Sequence, residues 1–233
     1  MISRRMFCGC GAVAGTFAAS AVHAQSACQF FTSERLKAMT PDQALQMLKD
    51  GNARMLAGKS QNCDPNGLFK KAADGQSPYA AVISCMDSRA APEIVFDQAI
   101  GDIFVARVAG NIVNVDMLGS LEYGAKVAGS KAIVVMGHNM CGAIKGAIDR
   151  VQLGNLTTLL KAFEPALKTI TPADGPRDSH NYSLVQKVAE ANVRLTAASL
   201  TKRSKVLKEL VDAGQLKIAM GMEDIGSGKV TWL

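Results

Sequence analysis

Apolar residues gather in three short runs, Tyr79–Ser84, Ile103–Arg107 and Lys131–Gly137, whose length and boundaries read as buried strands. Around them the apolar positions recur at helical spacing. Thr40 caps a helix that Pro41 opens; Leu45, Leu48, Ala53 and Leu56 form its stripe, and it ends near Gly58. A polar loop with Asn62, Pro65 and Asn66 follows. Further helices are predicted over Asp116–Val127, Gly142–Leu153, Thr157–Thr169, Ser183–Leu200 and Lys202–Ala213, with a loop over Thr171–Asn181. Leu216–Met222 reads as another strand and Val230–Leu233 as a short terminal one. Strands alternating with helices predict an α/β fold, a mostly parallel central sheet flanked by helices with a helical N-terminal arm. No internal repeat, low-complexity tract or interdomain linker divides it.

With 233 residues, 48% of them apolar, the chain can bury one sizeable core without needing two domains. The first 24 residues differ from the rest. Arg4 and Arg5 precede an apolar stretch from Phe7 to Val22, and Val22-His23-Ala24 offers a cleavage site before Gln25. Ser3-Arg4-Arg5-Met6-Phe7 resembles the twin-arginine export motif. The stretch is rich in Gly and Ala, which argues against a stable membrane span. The expectation is an export signal over 1–24 and a single domain over 25–233, periplasmic or otherwise exported. Net charge is +6, but Arg4 and Arg5 leave with the signal and the remainder is dispersed. Lys202-Arg203-Ser-Lys205 with Lys208 reads as a solvated helix face, not a nucleic-acid patch.

The chemistry sits at strand ends. Cys85 closes the first run, and His138 and Cys141 follow the third. In open α/β sheets ligands bind beyond the carboxyl ends of the strands, so residues distant in sequence can converge there. Two thiolates and an imidazole suit zinc, and three protein ligands leave the fourth position open, as a catalytic site requires. Zinc lowers the pKa of bound water to about 7. Asp87, held by Arg89, can accept the resulting hydroxide's hydrogen bond and aim its lone pair; if the pair parts, Asp87 can itself ligate zinc and close the site. Cys8 and Cys10 leave with the signal. Cys28 and Cys63 remain, as a disulfide or as two free thiols. Cys85 and Cys141 are not a Cys-x-x-Cys pair, which sets aside a disulfide oxidoreductase. His180 reads as solvated, Met117, Met136 and Met140 as packing, and Glu122 as a helix or interface residue.

Cys85-x-Asp87-x-Arg89 and His138-x-x-Cys141, joined by Arg107-Val-Ala-Gly-Asn111 and Gly119-Ser-Leu-Glu-Tyr123, resemble the motifs of the beta-class carbonic anhydrases. The resemblance continues through Asn192-Val-Arg-Leu-Thr196, Ser204-Lys-Val-Leu207 and Leu216-Lys-Ile-Ala219, covering about residues 42–233. It implies reversible hydration of carbon dioxide to bicarbonate and a proton by zinc-bound hydroxide. It further implies one zinc ion per subunit and a homodimer or homotetramer. Carried over by position, Cys85, His138 and Cys141 become the zinc ligands and Asp87 with Arg89 the catalytic dyad. In the plant-type subgroup Gln76 would hydrogen-bond substrate across the dimer interface, Phe104 and Tyr123 would form its apolar wall, and Gly142 would supply a backbone donor. The subgroup inhibited by bicarbonate at a separate site carries a tryptophan and a tyrosine where this chain has Val82 and Glu223. The resemblance therefore favours the plant-type subgroup, with the zinc site open to water at neutral pH. Two other readings keep the fold: attack on carbonyl sulfide or carbon disulfide, and a non-catalytic zinc scaffold. The Asp87–Arg89 pair and Gln76 argue against a scaffold, which needs neither.

Overall fold

The structure, a computed structural model, describes residues 31–61 and 63–233. The expected export signal and Cys28 lie outside the described residues; Cys63 is disulfide-bonded. Among the described residues three helices come first. α1 (Ser33–Ala38) is capped by Thr32, α2 (Pro41–Leu56) by a capping box of Thr40 and Gln43, and α3 (Pro65–Ala72) by Asp64. Strand and helix then alternate through β1 (Ala80–Ser84), α4 (Pro92–Val95), β2 (Ile103–Arg107), α5 (Val115–Glu122), β3 (Ala132–His138) and α6 (Gly142–Ile148). Two short helices, α7 (Gly154–Leu160) and α8 (Glu164–Leu167), lead to the long α9 (Tyr182–Arg203), then α10 (Lys205–Asp212), β4 (Lys217–Glu223) and β5 (Val230–Trp232).

The sheet runs β2-β1-β3-β4-β5, parallel except for the β4–β5 pair. Alternate residues of a strand face opposite sides of a sheet, and both sides here are covered. Ala81, Ile83, Ile133 and Val135 pack with Leu118, Ile144, Phe163, Val188 and Leu207 on one side. Ala80, Val82, Ala132 and Val134 pack with Leu36, Leu45, Leu48 and Phe96 on the other. The N-terminal arm is therefore a layer of the core. At Gly137 an added Cβ would lie 2.5 Å from a Val193 methyl, so α9 can pass close behind β3 only because that side chain is missing.

Several boundaries differ from those the sequence predicts. The buried stripe of α2 is Ala44, Leu45, Leu48, Gly51 and Asn52, whereas Ala53 and Leu56 face outward. Asn52 is buried because its side chain is satisfied: Nδ2 donates to the Val95 and Gly228 carbonyls at 2.9 and 2.8 Å, and Oδ1 accepts from the Val230 N–H. The stretch after Asp64 is a helix instead of a loop. The helix predicted over Gly142–Leu153 stops at Ile148, and Arg150 turns into the left-handed region (φ 56°). The one over Thr157–Thr169 is broken into α7 and α8 by a tight turn at Lys161–Phe163, since Pro165 cannot continue a regular ladder. Extended backbone at Ser204 divides α9 from α10, and Ser204 caps the second through the Leu207 N–H. The helix predicted over Asp116–Val127 ends as a wider π turn at Tyr123–Val127.

At the amino ends of the strands the Tyr79 N–H donates to the Asp102 carbonyl, and the Asp102 carboxylate accepts the Ala99 N–H, both at 2.9 Å. Burial pushes this carboxyl up to about 6. Among the described residues no helix is long and apolar enough to cross a membrane.

Candidate metal centre and active site

Cys85 emerges directly from the end of β1 and is buried. Its sulfur accepts the Gly110 N–H at 3.2 Å and the Asp87 N–H at 3.4 Å. Ser84 lies opposite Arg107 in the parallel β1–β2 pair, which puts the Arg107 side chain beside the loop that follows. Its Nε donates to the Cys85 carbonyl at 2.9 Å and its Nη2 to the Asp87 carbonyl at 2.5 Å. Within the loop, Arg89 grips the Asp87 carboxylate bidentately, with Nε to Oδ1 at 2.9 Å and Nη2 to Oδ2 at 2.8 Å. The Arg89 N–H adds a third bond to Oδ1 at 3.0 Å. These bonds hold the Asp87 carboxyl well below the usual carboxylate range, so it is an ionised acceptor throughout the neutral region.

His138 ends β3. Its Nδ1 lies 2.7 Å from the Asn139 carbonyl, an acceptor, which assigns the proton to Nδ1. Nε2 is buried without a partner. Met140 takes a left-handed backbone (φ 56°), and Cys141 is the N-cap residue of α6. The donor atoms of Cys85, His138 and Cys141 all lie within 4.8 Å of one another, grouped as ligands that could hold one metal ion. Hydrogen bonding between the two sulfurs pushes the Cys85 thiol down and the Cys141 thiol up, burial adding to the second. Burial opposes a charge on His138, but contact with Cys85 outweighs it and raises the imidazole. A lone acceptor nitrogen, two unbridged thiols and two N–H groups aimed at the Cys85 sulfur fit a soft divalent metal.

The remaining residues singled out in the sequence divide by position. Gly142 is exposed beside Cys141 at the start of α6. Gln76, exposed in the loop before β1, is separated from Cys85 by the whole strand, roughly 16 Å at about 3.3 Å per residue. One chain therefore does not bring Gln76 to its own Cys85. Phe104, on the outermost strand β2, and Tyr123, at the start of the π turn after α5, form an edge-on ring pair with centroids 6.4 Å apart. Glu122 accepts a hydrogen bond from Ser204 Oγ at 2.5 Å, tying α5 to the start of α10. His180 is exposed; Met136 is packed, while Met117 is half-buried and Met140 is 37% exposed.

Sequence reading missed three neighbours of the site. Glu223 lies opposite His138 in the β3–β4 register, is 2% exposed, and carries an unpartnered Oε2; burial pushes its carboxyl up to about 7. In the sequence Glu223 stands out only as a departure from a family pattern. Arg107 stands within a sequence motif that does not reveal its grip on the Cys85–Asp87 loop. Asn192, a buried amide on the apolar stripe of α9, donates to the Gly110 carbonyl at 2.8 Å. A polar residue at a core position of a long helix was the available signal.

A parallel sheet whose strand ends converge two thiols and an imidazole beside a locked Asp–Arg pair defines an α/β metalloenzyme class. The chain belongs to the beta-class carbonic anhydrases: the family model described as carbonic anhydrase matches residues 80–230. It is 36% identical over 181 residues to carbonic anhydrase 2 of Mycobacterium tuberculosis, covering 76% of this chain and 86% of that one. It is 34% identical over 192 residues to a carbonic anhydrase of Mycolicibacterium smegmatis, covering 82% and 92%. Among solved structures it is similar to a tetrameric beta-carbonic anhydrase of the ascomycete Sordaria macrospora, with 26% identity, a TM-score of 0.66, and 82% and 97% of the two chains covered. The chain is thus an enzyme, a lyase of the carbonate dehydratase type.

Proposed function

We propose that this enzyme hydrates carbon dioxide reversibly to bicarbonate and a proton, with one zinc ion held by Cys85, His138 and Cys141. The observation that carries this reading is the bidentate Asp87–Arg89 pair beside the Cys–His–Cys donor set. When bound, zinc supplies the Lewis acidity that brings the pKa of a water to about 7. Asp87, ionised and prevented from swinging by Arg89, accepts a hydrogen bond from the attacking water and directs its lone pair at the carbon of carbon dioxide. Arg107 keeps the loop bearing Asp87 in register with Cys85. With Asp87 turned to Arg89, the arrangement supports an open site of the plant type, and Asp87 becomes a ligand only if that pair parts.

The active unit in this reading is a homodimer or homotetramer in which Gln76, Phe104 and Tyr123 serve the neighbouring subunit's site and Gly142 its own. The distance of Gln76 from Cys85 and the ring pair on the sheet edge support it. Export to the periplasm by the twin-arginine route completes the proposal, on the strength of Arg4 and Arg5; replacing both by lysine and fractionating cells tests it. For the reaction, stopped-flow carbon dioxide hydration is measured on zinc-loaded protein and on Asp87→Ala. Fast hydration that collapses in the variant supports the assignment. Absence of hydration by the loaded oligomer, with turnover of carbonyl sulfide or carbon disulfide, would overturn it.

A further inference from the structure

The Cys85 sulfur takes one of its hydrogen bonds from a residue far along the chain, the Gly110 N–H at 3.2 Å. Gly110 sits in the tight turn Ala109–Asn111 and adopts a left-handed backbone (φ 72°, ψ 26°). Asn111 follows with φ 47°, so two successive residues occupy a region that only glycine adopts freely. The turn is also confined from outside. A Cβ on Gly110 would lie 2.3 Å from the Phe163 ring, and Phe163 is fully buried. The turn is also tied to α9: Asn192, 4% exposed there, donates through Nδ2 to the Gly110 carbonyl at 2.8 Å.

We propose that Asn192 is a positioning residue of the metal centre, which aims the Gly110 N–H at the Cys85 sulfur by holding the Gly110 carbonyl. The inference rests on Cys85 being a metal ligand, as read above. Rotation about the Gly110 φ and ψ angles would carry the N–H away from the sulfur, and nothing in a glycine's own structure resists it. Asn192 couples that donor to the helix that packs closest behind β3, at Gly137, beside His138. Two ligands on separate strands are thereby referred to one rigid element. Groups that hydrogen-bond to ligands typically change metal affinity by 10–100-fold when removed.

The test compares the full-length wild type with Asn192→Leu, each stripped and reloaded with zinc or cobalt(II). Asn52→Leu serves as control: it removes a buried amide that makes three hydrogen bonds of its own on the opposite face of the sheet, away from the metal centre. Zinc affinity by chelator competition should fall about 10–100-fold in the Asn192 variant and hold in the control, whatever both lose in Tm. The sulfur-to-cobalt charge-transfer band should shift only in the Asn192 variant. Affinity that falls equally in both variants, or an unchanged band and affinity in Asn192→Leu, would overturn the proposal. If Asn192→Leu does not fold, Asn192→Ala carries the same comparison. A wild type that binds cobalt without any thiolate band would overturn the reading of Cys85 as a ligand, and the proposal with it.

Discussion

Replacing Asp102 by asparagine should flatten the dependence of stability on acidity. Burial at the amino ends of β1 and β2 pushes this carboxyl from 3.8 up to about 6. A carboxyl whose folded value is raised contributes stability fully below its unfolded value, near pH 4, and loses it as pH rises through about 6. The shift corresponds to a ceiling of about 3 kcal/mol, at roughly 1.4 kcal/mol per unit. About 1 kcal/mol of that falls between pH 5 and 7. Asparagine resembles the protonated acid, can still accept the Ala99 N–H, and does not titrate. The variant should therefore gain on wild type by about 1 kcal/mol as pH goes from 5 to 7. Urea unfolding at fixed protein concentration and metal content, repeated across that range, measures the difference. Parallel stability curves, or a variant that falls behind at neutral pH, would refute the argument, because burial would then not favour the protonated carboxyl.

Arg107→Met removes both hydrogen bonds to the Cys85–Asp87 loop and should lower kcat/KM about 100-fold, the scale of a small misplacement of reacting groups; stopped-flow hydration with metal content checked in parallel reads this. Asp87→Asn keeps the shape of the side chain but loses the charge that pairs with Arg89, and should cost about 100-fold or more in kcat while zinc content stays at wild-type level. Ser204→Ala deletes the cap of α10 and the bond to Glu122; thermal or urea unfolding should show a loss of about 1–2 kcal/mol, with hydration rate unaffected.

The strands were legible because buried β-runs of this kind carry their own boundaries. β2 is Ile103–Arg107 in both readings, and β1 and β3 agree within one residue at each end. Helix ends were less legible, since they turn on the backbone of single residues such as Arg150 and Ser204, which composition does not reveal. Asp64-Pro65 is a readable helix start, yet α3 buries only Leu68 and so presents almost no apolar stripe. In the site, Cys85, His138 and Cys141 were visible as donors at strand ends, and Asp87–Arg89 as a pair two residues apart. Glu223, Arg107 and Asn192 were not, because their proximity depends on which strands pair, in what register, and which helix backs them. That information lies between segments and not within any one.

The placement of Gln76 at one end of β1 and Cys85 at the other gives the assembly proposed above a divided ownership of each reaction site. A chain that lost its metal ligands would still lend a working glutamine to its neighbour, and a chain that lost the glutamine would still offer a working metal position. Two defective copies could then make one sound site between them. Harm from a faulty copy would depend on which of its two ends was damaged and on whose company it kept.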